Sequence, residues 1–258
     1  MEITIIWMYI GFLLAAYSVI ANDSIQTLGT FLASNKEHFS WYTLWIAASI
    51  MMVFTISYGW VNYNGDIAYG RLTRIPFQEV QWYHAAAPAV LLLLTRKGVP
   101  VSTTFLVLSA FASFTVLEKM LMKSIVGYGV AALAAYLIWV VLERYINEKK
   151  DHPEHIKFWR VGQWVTSGWL WFAWLQHDMA NIAVFLPRQL ALGDLMMVLF
   201  STVAILGYVF YTGGGRIQEV VINKHGTRFA RSSTIINLVY AFILYFFKEL
   251  NDLPMSTT

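Results

Sequence analysis

Two aspartates stand in apolar surroundings where a carboxylate is unfavourable. Asp23 lies in Ala21-Asn22-Asp23-Ser24, and Asp178 in Gln176-His177-Asp178-Met179-Ala180-Asn181. At membrane depth such a group costs roughly 2.5–3.5 kcal/mol on insertion scales, so it normally faces a partner or a cavity. Each is followed, after a nearly equal stretch of chain, by a Pro-x-Ser-Thr-Thr: Pro100 to Thr104 and Pro254 to Thr258. A hard cation such as Na⁺ takes oxygen ligands. Asn22, Asp23 and Gln26 offer them in one patch, Asp178 and Asn181 in the other. Ser102, Thr103 and Thr104, and again Ser256, Thr257 and Thr258, offer hydroxyl donors. Placed at a helix start, these would join unpaired backbone N–H groups in holding a tetrahedral anion. A plain N-cap role for the serines competes with that reading. His177 adjoins Asp178, and histidine is the side-chain type suited to carrying a proton, which makes it a proton-coupling candidate. A hydrogen-bonded core histidine explains it equally well.

The surroundings of these residues are those of a membrane. Of 258 residues, 58% are hydrophobic and 13% charged. The mean hydropathy is +0.54. Apolar stretches near 3–20, 41–62, 124–142, 159–175 and 195–212 approach or exceed the ~20 helical residues that span a bilayer core. The first lacks a basic leader and reads as a retained helix. With no cysteine in the chain, disulfides, iron–sulfur clusters and thiolate zinc sites are excluded. A net charge of +3 is too small and scattered for nucleic acid. His152 and His155 sit in a charged loop and read as solvated. Gly213-Gly214-Gly215 lacks phosphate-loop spacing.

The order of segments predicts an all-α polytopic membrane protein made of inverted-topology repeats. Residues 1–146 form the first repeat, 147–158 a cytoplasmic loop, and 159–258 the second repeat, incomplete at its C-terminus as in a truncated chain. Each repeat is expected to hold a long helix broken at its aspartate, at Asn22-Asp23 and at His177-Asp178. A plain helix and a re-entrant hairpin follow. The first hairpin covers 83–117 with its tip at Gly98 to Thr104; the closing helix is 124–146. Three crossings per repeat is odd, so the second repeat enters from the opposite side, with the site at the interface. Ten Lys and Arg fall on one face and five on the other. The positive-inside rule then puts the N-terminus outside the cell membrane, in the extracellular or periplasmic space. Arg96, Lys97 and Lys248, near the tips, read as snorkelling interfacial charges.

At these motifs the chain resembles the inorganic phosphate transporter (PiT) family. That family carries Gly-Ala-Asn-Asp-Val-Ala-Asn at each broken helix and Pro-Val-Ser-Thr-Thr-His at each hairpin tip. The matching stretches are Ala21-Asn22-Asp23, His177 to Asn181, Pro100 to Thr104 and Pro254 to Thr258. Gln26 and His177 stand where the family has Asn, and Phe105 where it has His, as in a divergent branch. The resemblance implies cation-coupled symport of inorganic phosphate. The hairpin hydroxyls would bind the anion and the Asn/Asp patches the coupling Na⁺; H⁺ is the other candidate ion. A sulfate permease of the same family is the nearest alternative. A channel, or an integral-membrane enzyme using the aspartates, comes from another class. The expected partners are phosphate or sulfate and the lipid bilayer. No enzymatic activity and no cofactor beyond the coupling ion are expected, and a homodimer is a compatible assembly.

Overall fold

The computed structural model describes residues 2–99, 101–146, 155–219 and 229–246. Among them the only regular elements are helices. The chain opens with α1 (Glu2–Val19), which continues through a π-helical turn (Ile20–Ser24) into α2 (Ile25–Asn35). Next come α3 (Trp41–Asn62), α4 (Ala86–Arg96), the short α5 (Thr103–Leu108) and α6 (Phe114–Ile146). The last are α7 (Ile156–Ala183), α8 (Leu192–Tyr211) and α9 (Ala230–Leu244). Three helical stretches are long and apolar enough to cross a bilayer: Ile3–Asn35, Trp41–Asn62 and Leu192–Tyr211. The architecture is compatible with a helical membrane protein. Outward-facing Ile, Val, Phe and Leu along α1, α3 and α8 agree with that, since water would oppose exposing them.

The bundle is organised around α7, which packs against α1, α2, α3, α5 and α9. α8 lies along α3 and reaches the π turn, and α4 packs on α1 and α5. Phe12, Ala15, Ala16 and Val19 turn one face of α1 inward. Gly11 lets that face approach Phe185, because a Cβ there would sit 2.3 Å from its ring.

One end of the bundle is closed by the loop 63–85. Asp66 accepts from the backbone N–H groups of Ala68 and Gly70, which fixes the turn leading to a 3₁₀ helix at Arg71–Arg74. His84 is buried and stacks on Phe111 at 4.4 Å, and Phe111 meets Phe185 edge-on at 5.0 Å. Burial pushes the His84 pKa below its ordinary value. Gln78 donates to the Phe111 carbonyl, and Arg188 to that of Ile75. These bonds tie the loop to the ends of α5 and α7.

Three expectations change. α7 runs unbroken through His177 and Asp178. Neither residue type breaks a helix; each is only a few tenths of a kcal/mol poorer than Ala, and 169–183 contains no Gly or Pro. The break at Asn22-Asp23 is a π turn inside one continuous helical rod. The second hairpin arm is only the six residues of α5, and α6 starts at Phe114 instead of 124. Glu118, Lys119 and Lys123 look like loop residues but lie on an exposed or half-buried helix surface that tolerates charge.

Candidate functional site

The π turn sets the first half of the site. Ser18 donates to the Leu14 carbonyl at 2.6 Å and Ser24 to that of Ile20 at 2.5 Å. Such back-bonding competes with the helical ladder and bends it. π turns widen the helix by one residue and recur at functional sites. Here Asn22, Asp23 and Ser24 are all turned inward, with Asp23 only 1% exposed.

The turn between α4 and α5 supplies the second part. Gly98 adopts φ +75°, a left-handed conformation that bends the chain after α4. The chain then returns with its hydroxyls against the π turn. Asn22 Nδ2 donates to Asp23 Oδ1 at 2.7 Å and to the Val101 carbonyl at 3.1 Å. Thr103 Oγ1 donates to Asp23 Oδ2 at 2.8 Å. Ser102 occupies the N-cap position of α5 but makes no side-chain capping bond. A plain cap therefore does not account for its hydroxyl.

The third part comes from α7. Asn181 Nδ2 donates to Thr103 Oγ1 at 3.2 Å and to Thr104 Oγ1 at 3.3 Å. Thr103 is thus the junction: it donates to Asp23 and accepts from Asn181. Residues far apart in the chain, from three separate elements, converge on one hydroxyl. The amide oxygens of Asn22 and Asn181 are buried without a hydrogen-bond partner. Leaving such an atom unsatisfied costs about 1–3 kcal/mol. Two unspent oxygens beside a carboxylate are a partial ligand set for a hard cation.

Asp178 is buried one turn before Asn181 on the same helix. Gln26 is half-buried; its Nε2 has no hydrogen-bond partner, and it is not bonded to Asn22 or Asp23. His177 is drawn the other way, towards the loop 63–85. Arg71 Nη2 lies 3.2 Å from His177 Nε2, and Arg71 Nε donates to the Gln176 carbonyl at 3.0 Å. A guanidinium has no acceptor, so His177 Nε2 accepts in this arrangement. Arg71 is the residue that sequence reasoning missed; it counted only as a loop charge. Its signal is its place just after the Asp66 turn and Gly70.

Arg96 and Lys97 are exposed at the end of α4. Pro100, Lys248 and the second hydroxyl cluster, Ser256, Thr257 and Thr258, lie outside the described residues. Among the described residues no group of three or more His, Cys, Asp or Glu side chains could hold a metal ion. A cation at Asp23 would therefore rest on amide, hydroxyl and carbonyl oxygens. The helix-terminus part of the anion reading is reduced, because six residues of α5 align few peptide dipoles. What stands is the hydroxyl cluster itself. Compared with known family models, curated proteins and solved structures, the chain matches none.

Proposed function

We propose that this chain is a secondary active transporter that carries inorganic phosphate together with Na⁺ or H⁺. The observation that supports it is the Thr103 junction between the Asp23 carboxylate and Asn181. Asp23 is buried and accepts from Asn22 and Thr103. A carboxylate among amide and hydroxyl oxygens suits a hard cation. A cation entering beside Asp23 takes the Asn22 and Asn181 amide oxygens as neighbouring ligands.

Thr103 then links the two cargoes. In the structure its hydroxyl proton is committed to the Asp23 carboxylate. Once a cation neutralises Asp23, that proton is released for another acceptor. An oxyanion beside Ser102, Thr103 and Thr104 is such an acceptor. Each cargo thereby strengthens binding of the other, as linkage requires. Two inverted repeats, re-entrant tips, an outward N-terminus and a matching tip at Ser256 to Thr258 belong to this proposal. Sulfate, of similar shape, is the alternative cargo.

Reconstituted protein tests the reading. Labelled phosphate should accumulate in proteoliposomes when an inward Na⁺ or H⁺ gradient is imposed. Sulfate competition identifies the preferred anion. Downhill flux with no response to either gradient would indicate a channel, and absence of flux would end the transport reading.

A further inference from the structure

α2, α7 and α9 share a seam of buried polar side chains that begins at the site and runs away from the loop 63–85. One step along it, Thr27 is 3% exposed and its hydroxyl has no hydrogen-bond partner. At the next level Thr30 Oγ1 donates to Asn237 Oδ1 at 2.9 Å, and Asn237 Nδ2 donates to Ser167 Oγ at 2.7 Å. One turn further, Ser233 on α9 is fully buried with an unpartnered hydroxyl. At the end of α2, Asn35 Nδ2 donates to Gln163 Oε1 at 2.9 Å, and Gln163 donates to Ser34. Asn35 Oδ1 accepts from Trp164 and from Arg160 at the surface. With a rise of 1.5 Å per residue, Asp23 to Asn35 spans roughly 18 Å.

An interior built only for stability would fill this seam with Leu and Ile. Hydroxyls left bare in it have no packing advantage, and each is a position where water is favoured. The bonds that close it are weak, since polar contacts between membrane helices average about 0.6 kcal/mol. They exchange readily for bonds to water, which an apolar seam cannot do. Cations outnumber anions at the mouth: Arg160 lies over Phe39, Arg231 over Trp159, and Lys36 follows Asn35 directly, with Glu37 next to it. Between the mouth and the site, Thr27, Thr30, Ser34 and Gln163 carry no charge of their own. The opposite end of the bundle is sealed by aromatic stacking.

From this we infer that the α2–α7–α9 seam is a gated, water-bearing route that passes an oxyanion between the Asp23–Thr103 site and the face where α2 ends. Asn35, Gln163 and Ser34 form its latch. The inference rests on the transporter reading for its cargo, while its test reads water access and not uptake.

The chain has no cysteine, so single cysteines report without background. Thr27→Cys, Thr30→Cys and Ser233→Cys are near-isosteric, and gel filtration checks each fold. Membrane-impermeant anionic and cationic methanethiosulfonates are applied from each side of sealed vesicles. Lys36→Cys marks the mouth side, Leu192→Cys the opposite side, and Phe200→Cys the exposed apolar surface of α8. All three seam positions should react from the Lys36 side only. The anionic reagent should be favoured about ten-fold over its ratio at Leu192→Cys. Gln163→Ala should speed labelling about three- to ten-fold by removing latch bonds. Labelling no faster than Phe200→Cys, with or without Gln163→Ala, would reduce the seam to static packing and overturn the inference. Labelling from the Leu192 side, or without anion preference, would also overturn it. Loss of phosphate uptake with seam labelling intact would instead remove the transport reading alone.

Discussion

Asp23 and Asp178 occupy similar sequence patches but different backbone settings. Asp23 sits in a π turn, and its carboxylate receives the Thr103 hydroxyl. Asp178 sits in the regular interior of α7, and the residue of its patch that reaches the hydroxyl cluster is Asn181. The difference teaches how a helix can deliver polar groups inward. The π turn buries three consecutive residues and brings two of them, Asn22 and Asp23, to the α4–α5 turn, whereas a regular helix delivers inward side chains about one turn apart. The first patch therefore works as a unit, and the second divides its work. Asn181 meets the cluster while His177 meets Arg71 of the closing loop.

The largest effect should follow from Asp23→Asn. The replacement keeps size and hydrogen bonding but removes the charge that attracts a cation. Gradient-driven phosphate uptake should fall to background while gel filtration and helix content stay unchanged. Thr103→Val comes next. It is similar in shape and strips both junction bonds, so uptake should drop by roughly 10–100-fold, the equivalent of one charge-assisted hydrogen bond. Asp178→Asn sharpens the comparison: its loss should be smaller than that of Asp23→Asn by about ten-fold, the equivalent of about 1.4 kcal/mol. Equal losses would show that the π turn confers no special role.

Smaller effects are expected at the closed end. His177→Asn loses a contact with Arg71 and should leave the Na⁺ and pH responses of uptake close to those of the parent. A shift from pH-dependent to Na⁺-dependent uptake would assign proton coupling to His177. His84 gives the smallest effect, on stability alone. Its pKa is lowered by burial, so its stabilising contribution is complete above the ordinary value near 6.5 and is lost as pH falls through the lowered value. Thermal unfolding should therefore drop on acidification below pH 6.5, and His84→Gln should flatten that dependence.

Much of the site was legible because polar residues in an apolar chain have few reasons to be there. Asn22, Asp23, Thr103, Thr104 and Asn181 stood out on that ground, and the structure brings them together. The backbone around them was less legible. The π turn depends on serine back-bonding that competes with a ladder only slightly stronger. The helix through His177 and Asp178 is continuous because polarity alone does not break a helix, and 169–183 contains no Gly or Pro. The loop after α3 was legible as a polar loop at 63–82, but its packing was not, since an Asp66 turn and a His84–Phe111 stack are tertiary facts. Gln26 shows the limit of spacing arguments. It lies one turn beyond Asn22, yet it makes no bond to Asn22 or Asp23.

The central claim is that Asp23 and Thr103 tie cation binding to anion binding. Equilibrium binding of labelled phosphate to the purified protein, titrated against Na⁺ and against pH, tests it without requiring turnover. The account predicts that phosphate affinity rises with one of the two cations in the parent protein and becomes independent of both in Asp23→Asn. Phosphate binding that ignores both cations in the parent, or keeps its full cation dependence in Asp23→Asn, would contradict it.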